Sequence, residues 1–235
     1  MENLENHSSE TKPGEKLTTG SEKQYERIQN IGSVITGGKN KKFYCLTVIG
    51  QIEGHTYLPS ENKTTKYEHV IPELVAIEQD PKIKGLLLIL NTVGGDIEAG
   101  LAIAELVAGM SKPSVSMVIG GGHSIGVPLA VCTDKSFIAK SATMTIHPVR
   151  TSGMILGTRQ SFEYFKRMQE RIANFVVENS KISKKRFYDL CMNTDQLSLD
   201  VGSVVEGPQA VEEGLIDTCG TLSEAIKCLG QISEK

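Results

Sequence analysis

The chain of 235 residues contains no tryptophan, 5% aromatic residues and five cysteines. The cysteines are odd in number and form no C-x-x-C pair, which argues against both a disulfide framework and a zinc site. The longest apolar run, LLLIL at 86–90, is far shorter than the ~18 residues of a membrane span. A formal net charge of -3 provides no basic surface for nucleic acid. We therefore expect no metal, cofactor, nucleic-acid partner or membrane span.

The N-terminal segment also lacks the apolar core of a secretory signal. Residues 1–28 are polar, mixed in charge and poor in aromatic residues, which is typical of a disordered tail. We predict such a tail over 1–28 and one domain over 29–235. The absent signal and the unpaired cysteines favour the cytoplasm.

Strand and helix patterns alternate in the domain. The run KGLLLILN is typical of a strand buried on both faces of a parallel sheet. Helical spacing in VIPELVAIEQD and IEAGLAIAELVAGMS places helices before and after it. Further strands are predicted at SVIT, FYCLTVIG, KPSVSMVIG, SFIAK and TMTIHPV. This βαβ order predicts an α/β fold, with TYLPSENKTTKYEH as a polar loop and TVGGD as a turn.

The last third is mainly helical. Apolar residues at helical spacing predict a long amphipathic helix from Thr158 to about Ser180, and ISKKRFYDLCMN predicts another. The segment 210–214 predicts a helix that ends at Gly214, followed by a strand at LID. Thr221 and Glu224 match a capping box that begins a final helix.

The 23 glycines are unevenly spread, with four in the run 120–126 and a pair at Gly94 and Gly95. The segment 122–126 reads G-x-S-x-G between a predicted strand and a predicted helix, which is the context of a nucleophile elbow. In such a turn Ser124 is exposed, and the helix N-terminus offers N–H groups to a developing oxyanion. The loose pattern of glycines at 120, 122 and 126 does not indicate a nucleotide site, because it lies late in the domain and contains the serine.

A serine nucleophile needs a base, and His147 ends a short apolar strand where it could meet Ser124. No histidine follows His147, and only Asp134 lies between it and Ser124, which disfavours the order of an α/β-hydrolase. The remaining order is serine, histidine and a later acid. The candidate acids are Asp189, Asp195, Asp200 and Asp217.

Four segments in this order resemble the ClpP peptidase family: LLLILNTVGGDIEAGLAIAELVA, SMVIGGGHSIGVPLA, MTIHPV and AVEEGLID. The resemblance covers about 200 residues, and it is strongest to a branch connected with protein translocation. It implies a ClpP/crotonase-like fold of repeated ββα units with a protruding handle helix after Thr158. It also implies a homo-oligomeric, heptameric ring, peptide or preprotein substrates, and a possible ATPase chaperone partner.

Carried over residue by residue, Ser124 resembles the family nucleophile and His147 its general base. The N–H groups of Gly95 and Ile125 resemble the oxyanion hole. Aligned without gaps back from Gly214, the position of the family's catalytic acid falls on Gly202. Aligned forward from the preceding helix, it falls near Asp195. We predict Asp200 as the acid, with Asp195 as the reserve and the absence of any acid as a third option.

Three features depart from the family pattern. Thr92 and Val93 replace the usual serine and proline before the glycine pair, and TYLPSENKTTKYEH is a polar insertion. Asp96 follows the pair where an uncharged residue is common. It would oppose an oxyanion if it turned inward, but its N-cap preference favours a place outside the site.

The leading hypothesis is a serine endopeptidase with a Ser-His-Asp triad, linked to protein secretion. One alternative is a catalytically inactive ring scaffold, which the altered acid region motivates. The other is a crotonase-like acyl-CoA enzyme, which would need neither Ser124 nor His147.

Overall fold

The computed structural model describes residues 27–28, 32–37, 42–150, 157–195 and 201–234. The predicted tail 1–28 lies outside these residues except for Arg27 and Ile28. The strands are β1 (Ser33–Gly37), β2 (Lys42–Glu53), β3 (Thr64–Lys66), β4 (Ile83–Gly95), β5 (Ser114–Gly122), β6 (Lys135–Ile138), β7 (Thr143–Ile146), β8 (Ser203–Glu206) and β9 (Thr218–Cys219). The helices are α1 (Tyr67–Gln79), α2 (Ile97–Ala108), α3 (Gly126–Val131), α4 (Thr158–Glu178), α5 (Lys184–Cys191), α6 (Gly207–Glu212) and α7 (Leu222–Ile232).

A sheet in the order β1-β2-β4-β5-β6-β9 forms the centre of the fold. The β2, β4, β5, β6 and β9 strands run parallel, and β1 is antiparallel to β2. Alternate residues of β4 enter two cores, with Leu86, Leu88 and Leu90 on one side and Leu87 and Ile89 on the other. This confirms the prediction that the apolar run is buried on both faces, and with it the α/β fold.

A small second sheet branches from the end of β5. One residue pair, Gly121 with Thr143, joins β5 to β7. The β7 strand then pairs antiparallel with β8, and Ile146 lies opposite Ser203. This branch places the residues that follow β7 beside the carboxyl ends of β4 and β5.

Three local predictions differ from the structure. The insertion TYLPSENKTTKYEH was predicted as a loop, but Thr64 and Thr65 form the edge strand β3 along β2, and α1 begins at Tyr67. Threonine is β-branched and suits such an edge. The predicted turn TVGGD belongs largely to β4, which continues to Gly95 because Gly94 and Gly95 still pair with β2 after a register shift at Val93.

The predicted strand LID is also wrong. Leu215 and Ile216 both donate their backbone N–H groups to the carbonyl of Ala210, so they form a buried turn instead of joining the sheet. The strand begins afterwards at Thr218. The capping box of α7 is confirmed, because Thr221 and Glu224 bond reciprocally.

The 21-residue helix α4 confirms the long amphipathic helix. Its second half is anchored by buried Met168, Phe175 and Val176, whereas Phe162 and Tyr164 in the first half are exposed. None of the described helices is both long and apolar enough to cross a bilayer.

Candidate active site

Ser124 lies in a tight turn between β5 and α3. Its φ of 57° makes it the one non-glycine residue with positive φ in the described part of the chain. Such a conformation costs about 1–3 kcal/mol and needs support from its surroundings. The support comes from two strands, because Ser124 N–H donates to Thr145 O (2.8 Å) and His123 N–H donates to Thr92 O (3.1 Å). The sequence-predicted elbow is therefore present as a strained, doubly anchored turn.

The glycine pair faces this turn from the end of β4. Gly94 has φ of 91°, and a Cβ atom there would lie 2.6 Å from Ser124 Cβ. Gly95 has φ of 154°, and a Cβ atom there would lie 2.2 Å from Ile52 O. Any side chain at either position would collide with a neighbour, so glycine is required for this close approach.

Thr92 holds the pair in place. This buried residue donates its hydroxyl to Gly50 O (2.6 Å) and accepts from Gly94 N–H (3.0 Å). Threonine thereby anchors the strand end on both sides. Thr92 differs from the serine that is usual in the family, but it still provides the hydroxyl oxygen that accepts from Gly94 N–H.

The two predicted oxyanion donors lie on either side of Ser124. Asp96 N–H donates to Ile52 O in β2, and successive N–H groups of an extended chain point in opposite directions, so that of Gly95 is directed away from β2. Ile125 precedes the first turn of α3, and its N–H has no backbone acceptor among the described residues. Both groups lie in elements that meet at Ser124, and their role as an oxyanion hole stays a prediction.

Asp96 does not point at the predicted oxyanion. It is the N-cap of α2, and its carboxylate accepts from Ala99 N–H at 2.8 Å. Its side chain also packs against Gly54, where a Cβ atom would lie 2.2 Å from Asp96 Cγ. The capping interpretation of this departure from the family therefore agrees with the contacts.

His147 immediately follows β7 and is half-buried. Its Nδ1 atom lies 2.7 Å from the carbonyl oxygen of Pro148. It lines the same pocket as Ser124 and Gly95, although no hydrogen bond joins Ser124 Oγ to the imidazole in the residues described. Catalytic hydrogen bonds often close only when substrate binds, so this separation is compatible with a base.

The candidate acids are dispersed. Asp200, the predicted acid, lies outside the described residues. Asp195 is exposed, Asp189 accepts from Lys185 Nζ at 2.8 Å, and Asp217 accepts from Lys181 Nζ at 2.8 Å. Gly202, onto which the family acid aligned, lies directly against His147.

His123 precedes Ser124, but its side chain contacts β7 and is not among the residues that line the pocket. His123 Nδ1 lies 2.9 Å from Thr145 Oγ1, and the ring packs against Gly121. Burial lowers the pKa of His123, and the charge of His147 lowers it further.

The pocket around Ser124 has a volume of about 140 Å³. Its walls are mostly apolar and come from α2, α3, α4, α5 and the end of β7: Ile97, Ile125, Val127, Ile146, Pro148, Val149, Ile172 and Phe187. Arg150 also lines it. Because these residues meet only in the fold, their spacing along the chain gave no signal.

The side chains around this site also bear on whether a metal ion could bind. Within the described ranges, no group of three or more histidine, cysteine, aspartate or glutamate side chains is arranged to hold a metal ion. The donors gathered at Ser124 are backbone N–H groups and one imidazole, and this donor set suits acyl transfer.

Comparison with known proteins places this chain in a family. A model of the Clp protease family matches residues 39–222, which is most of the chain. The chain therefore belongs to the Clp protease family.

Individual relatives agree with that assignment. The translocation-enhancing protein TepA of Halalkalibacterium halodurans is 55% identical over 211 residues, covering 89% of this chain and 82% of that protein. The ATP-dependent Clp protease proteolytic subunit 1 of Protochlamydia amoebophila is 24% identical over 151 residues, covering 63% and 71%. The corresponding subunit of Lactococcus lactis is 26% identical over 127 residues, covering 51% and 63%.

Proposed function

We propose that this Clp-family protein is a serine endopeptidase in which Ser124 is the nucleophile and His147 the general base. The observation that carries the proposal is the strained turn at Ser124, held against the glycine pair in a pocket that His147 also lines. Strain at a non-glycine residue persists where the structure over-determines it, and such places cluster at active sites.

In the proposed reaction, His147 first accepts a proton and then donates it. Nε2 accepts the proton of Ser124 Oγ as the oxygen attacks the peptide carbonyl, and the N–H groups of Gly95 and Ile125 stabilise the negative oxygen. The imidazolium then gives that proton to the leaving amine, and an acyl-enzyme remains. A water molecule then attacks the acyl-enzyme with His147 again as the base, which releases the carboxylic acid product and restores Ser124. The prediction of Asp200 as a triad member is not part of this proposal.

The lining of the pocket supports a peptide substrate with an apolar side chain on the acyl side of the cleaved bond. Aliphatic and aromatic walls of this extent favour a residue such as leucine or methionine over a charged one. An extended chain must enter the site, which favours unstructured peptides. The similarity to TepA supports preproteins in transit as the physiological group.

The exposed half of α4 supports a homo-oligomer. Phe162 and Tyr164 are exposed aromatic side chains in the first half of α4, where Tyr164 also contacts Phe165 edge-on. Similar helices join the rings of the family. We include a homo-oligomeric ring in the proposal, and an ATPase chaperone as a partner that would deliver unfolded chains. Light scattering should give a mass several times that of the 25.5 kDa protomer.

The direct test is cleavage of a reduced, carboxymethylated protein by the purified full-length chain. We expect cleavage after apolar residues, read by mass spectrometry, and its loss in Ser124→Ala. Ser111→Ala is the matched control, because Ser111 is exposed and does not line the pocket. Equal cleavage by wild type and Ser124→Ala would refute the proposal.

A scaffold without activity is the second candidate. It is favoured by the missing hydrogen bond between Ser124 and His147 in the described residues and by glycine at position 202. This candidate predicts a ring that assembles but never cleaves in the same assay. No observation in the described part of the chain favours acyl-CoA chemistry.

A further inference from the structure

The contact between His147 and Pro148 fixes which ring nitrogen bears the proton. The distance from Nδ1 to the carbonyl oxygen is 2.7 Å, and a carbonyl only accepts hydrogen bonds. Nδ1 is therefore the protonated nitrogen of the neutral ring, and Nε2 carries the lone pair. This is the tautomer that a general base needs, and it is the one that aspartate selects in a serine triad.

Gly202 occupies the place beside His147 from which a side chain would reach the ring. A Cβ atom at Gly202 would lie 2.8 Å from His147 Cβ and 2.5 Å from Ile146 O. The φ of 140° is also one that side chains rarely adopt. The backbone of Gly202 is fixed there, because its N–H donates to Asn193 O at 2.7 Å and the next residue pairs with Ile146 in the small sheet. The position thus excludes any carboxylate of its own.

The other described candidates have different partners. Asp189 and Asp217 each bind a lysine, and Asp195 is exposed with its backbone N–H bonded to Asn193 Oδ1. Within the described ranges, no carboxylate forms a hydrogen bond or an ion pair with His147. Asp200 lies outside those ranges and is the rival that an experiment must address.

We propose that the carbonyl of Pro148 orients His147 in place of a carboxylate, so that Ser124 and His147 work as a pair. This inference rests on the proposed peptidase function. The proline ring fixes φ of residue 148 and restricts residue 147 to extended conformations, which holds the carbonyl over Nδ1. A carbonyl sets the tautomer but carries no full charge, so it stabilises the imidazolium less than aspartate does.

Labelling kinetics with a fluorophosphonate probe test this role. The second-order rate constant should stay within about tenfold of wild type in Asp200→Asn and Asp195→Asn, since removal of a true triad aspartate costs about 10⁴. Asp189→Asn is the control for a surface carboxylate. A loss greater than tenfold in Asp200→Asn alone overturns the inference while leaving the peptidase function intact.

A second measurement does not need activity. Nitrogen-15 spectra of histidine-labelled protein report the tautomer of His147, assigned by its loss in His147→Gln. We expect a protonated Nδ1 and an unprotonated Nε2 in wild type and in Asp200→Asn alike. A proton on Nε2, or a change of tautomer in Asp200→Asn, contradicts the inference even if no labelling is seen.

Pro148→Gly tests the contact from the other side. Glycine keeps the carbonyl but releases φ, so we expect a mixture of tautomers and at least a tenfold slower labelling rate. Pro148→Ala, which restricts φ more than glycine, should lie between the two. An unchanged tautomer and rate in a folded Pro148→Gly protein would refute the claim that the proline ring holds this carbonyl against His147.

Discussion

The serine half and the histidine half of the site are held in different ways. Ser124 follows β5, which pairs in parallel with β4 and is buried on both faces of the central sheet. His147 follows the four-residue β7, which joins β5 by a single residue pair and otherwise pairs with β8. The turn at Ser124 is therefore held mainly by the central sheet, with one further bond to β7, whereas His147 depends on the small sheet formed by β7 and β8.

This difference indicates which part of the site can move when substrate binds. The strained serine turn cannot move without disturbing β4, β5 and the glycine pair. A small shift of β7 and β8 would move His147 relative to Ser124, and the bond from Ser124 N–H to Thr145 O couples that shift to the nucleophile. We expect substrate binding to close the site mainly through the histidine half.

The largest predicted effect is the disruption of the turn at Ser124 by the substitution Gly94→Ala. The new Cβ would lie 2.6 Å from Ser124 Cβ and 2.8 Å from His123 O, at a φ that favours glycine. We expect the rate of fluorophosphonate labelling to fall by about 100-fold or more, as for disruption of an oxyanion donor.

The matched control for Gly94→Ala is Gly230→Ala. Position 230 lies in α7, and nothing is within 4 Å of a Cβ atom built there. This change should leave labelling intact and raise stability slightly, by about 0.5–1 kcal/mol. Equal labelling by both variants would mean that Gly94 has no role in shaping the site.

Hydrogen exchange should separate the two halves. Amides of β4 and β5, such as Leu88 and Val118, are predicted to exchange at least about tenfold more slowly than those of β7 and β8, such as Met144 and Val205. The reason is that the small sheet has few strands and can open locally. Identical protection in both regions would contradict the view that the histidine half is the more adaptable one.

A smaller effect is expected at the helix cap behind the glycine pair. Asp96→Ala removes the acceptor for Ala99 N–H and should lower the free energy of unfolding by about 1 kcal/mol. Asp96→Ser, which restores a capping oxygen, should recover most of it. Denaturant midpoints measure both, and a rise in labelling rate in Asp96→Ser would instead indicate that the charge opposes the oxyanion.

The smallest predicted effect concerns His123 and pH. Its pKa is lowered in the folded protein from the ordinary value of 6.5, first by burial and then by His147. The unfolded chain therefore binds a proton first as pH falls, so His123 favours folding above that value and this contribution is lost below it. Between about pH 7.5 and about pH 5.5, wild type should lose more stability than His123→Gln. Equal slopes of stability against pH in wild type and His123→Gln would show that His123 does not contribute to this pH dependence.

Most of the serine half could be predicted from the chain itself. A continuous apolar run predicted β4, and the motif around Ser124 predicted the turn, because strand, turn and helix follow one another locally. The strand predicted at LID does not form, because the bonds of Leu215 and Ile216 to Ala210 replace sheet pairing, and an apolar pattern does not reveal such bonds.

The histidine half was harder to predict. His147 could be selected by elimination, but its neighbours come from distant segments that the β7–β8 register brings together. Gly202 was identified by alignment as a missing acid, and its contact with His147 emerges only from that register. The Pro148 carbonyl left no signal, because backbone acceptors are the same for every residue type.

We propose that Ser124 is an activated nucleophile. Reaction of the assembled wild-type protein with a fluorophosphonate, followed by proteolysis and mass spectrometry, tests it most directly. We expect one adduct, located on Ser124, which disappears in Ser124→Ala and persists in Ser111→Ala. An adduct on another residue, or no adduct on a folded wild-type protein, would contradict it.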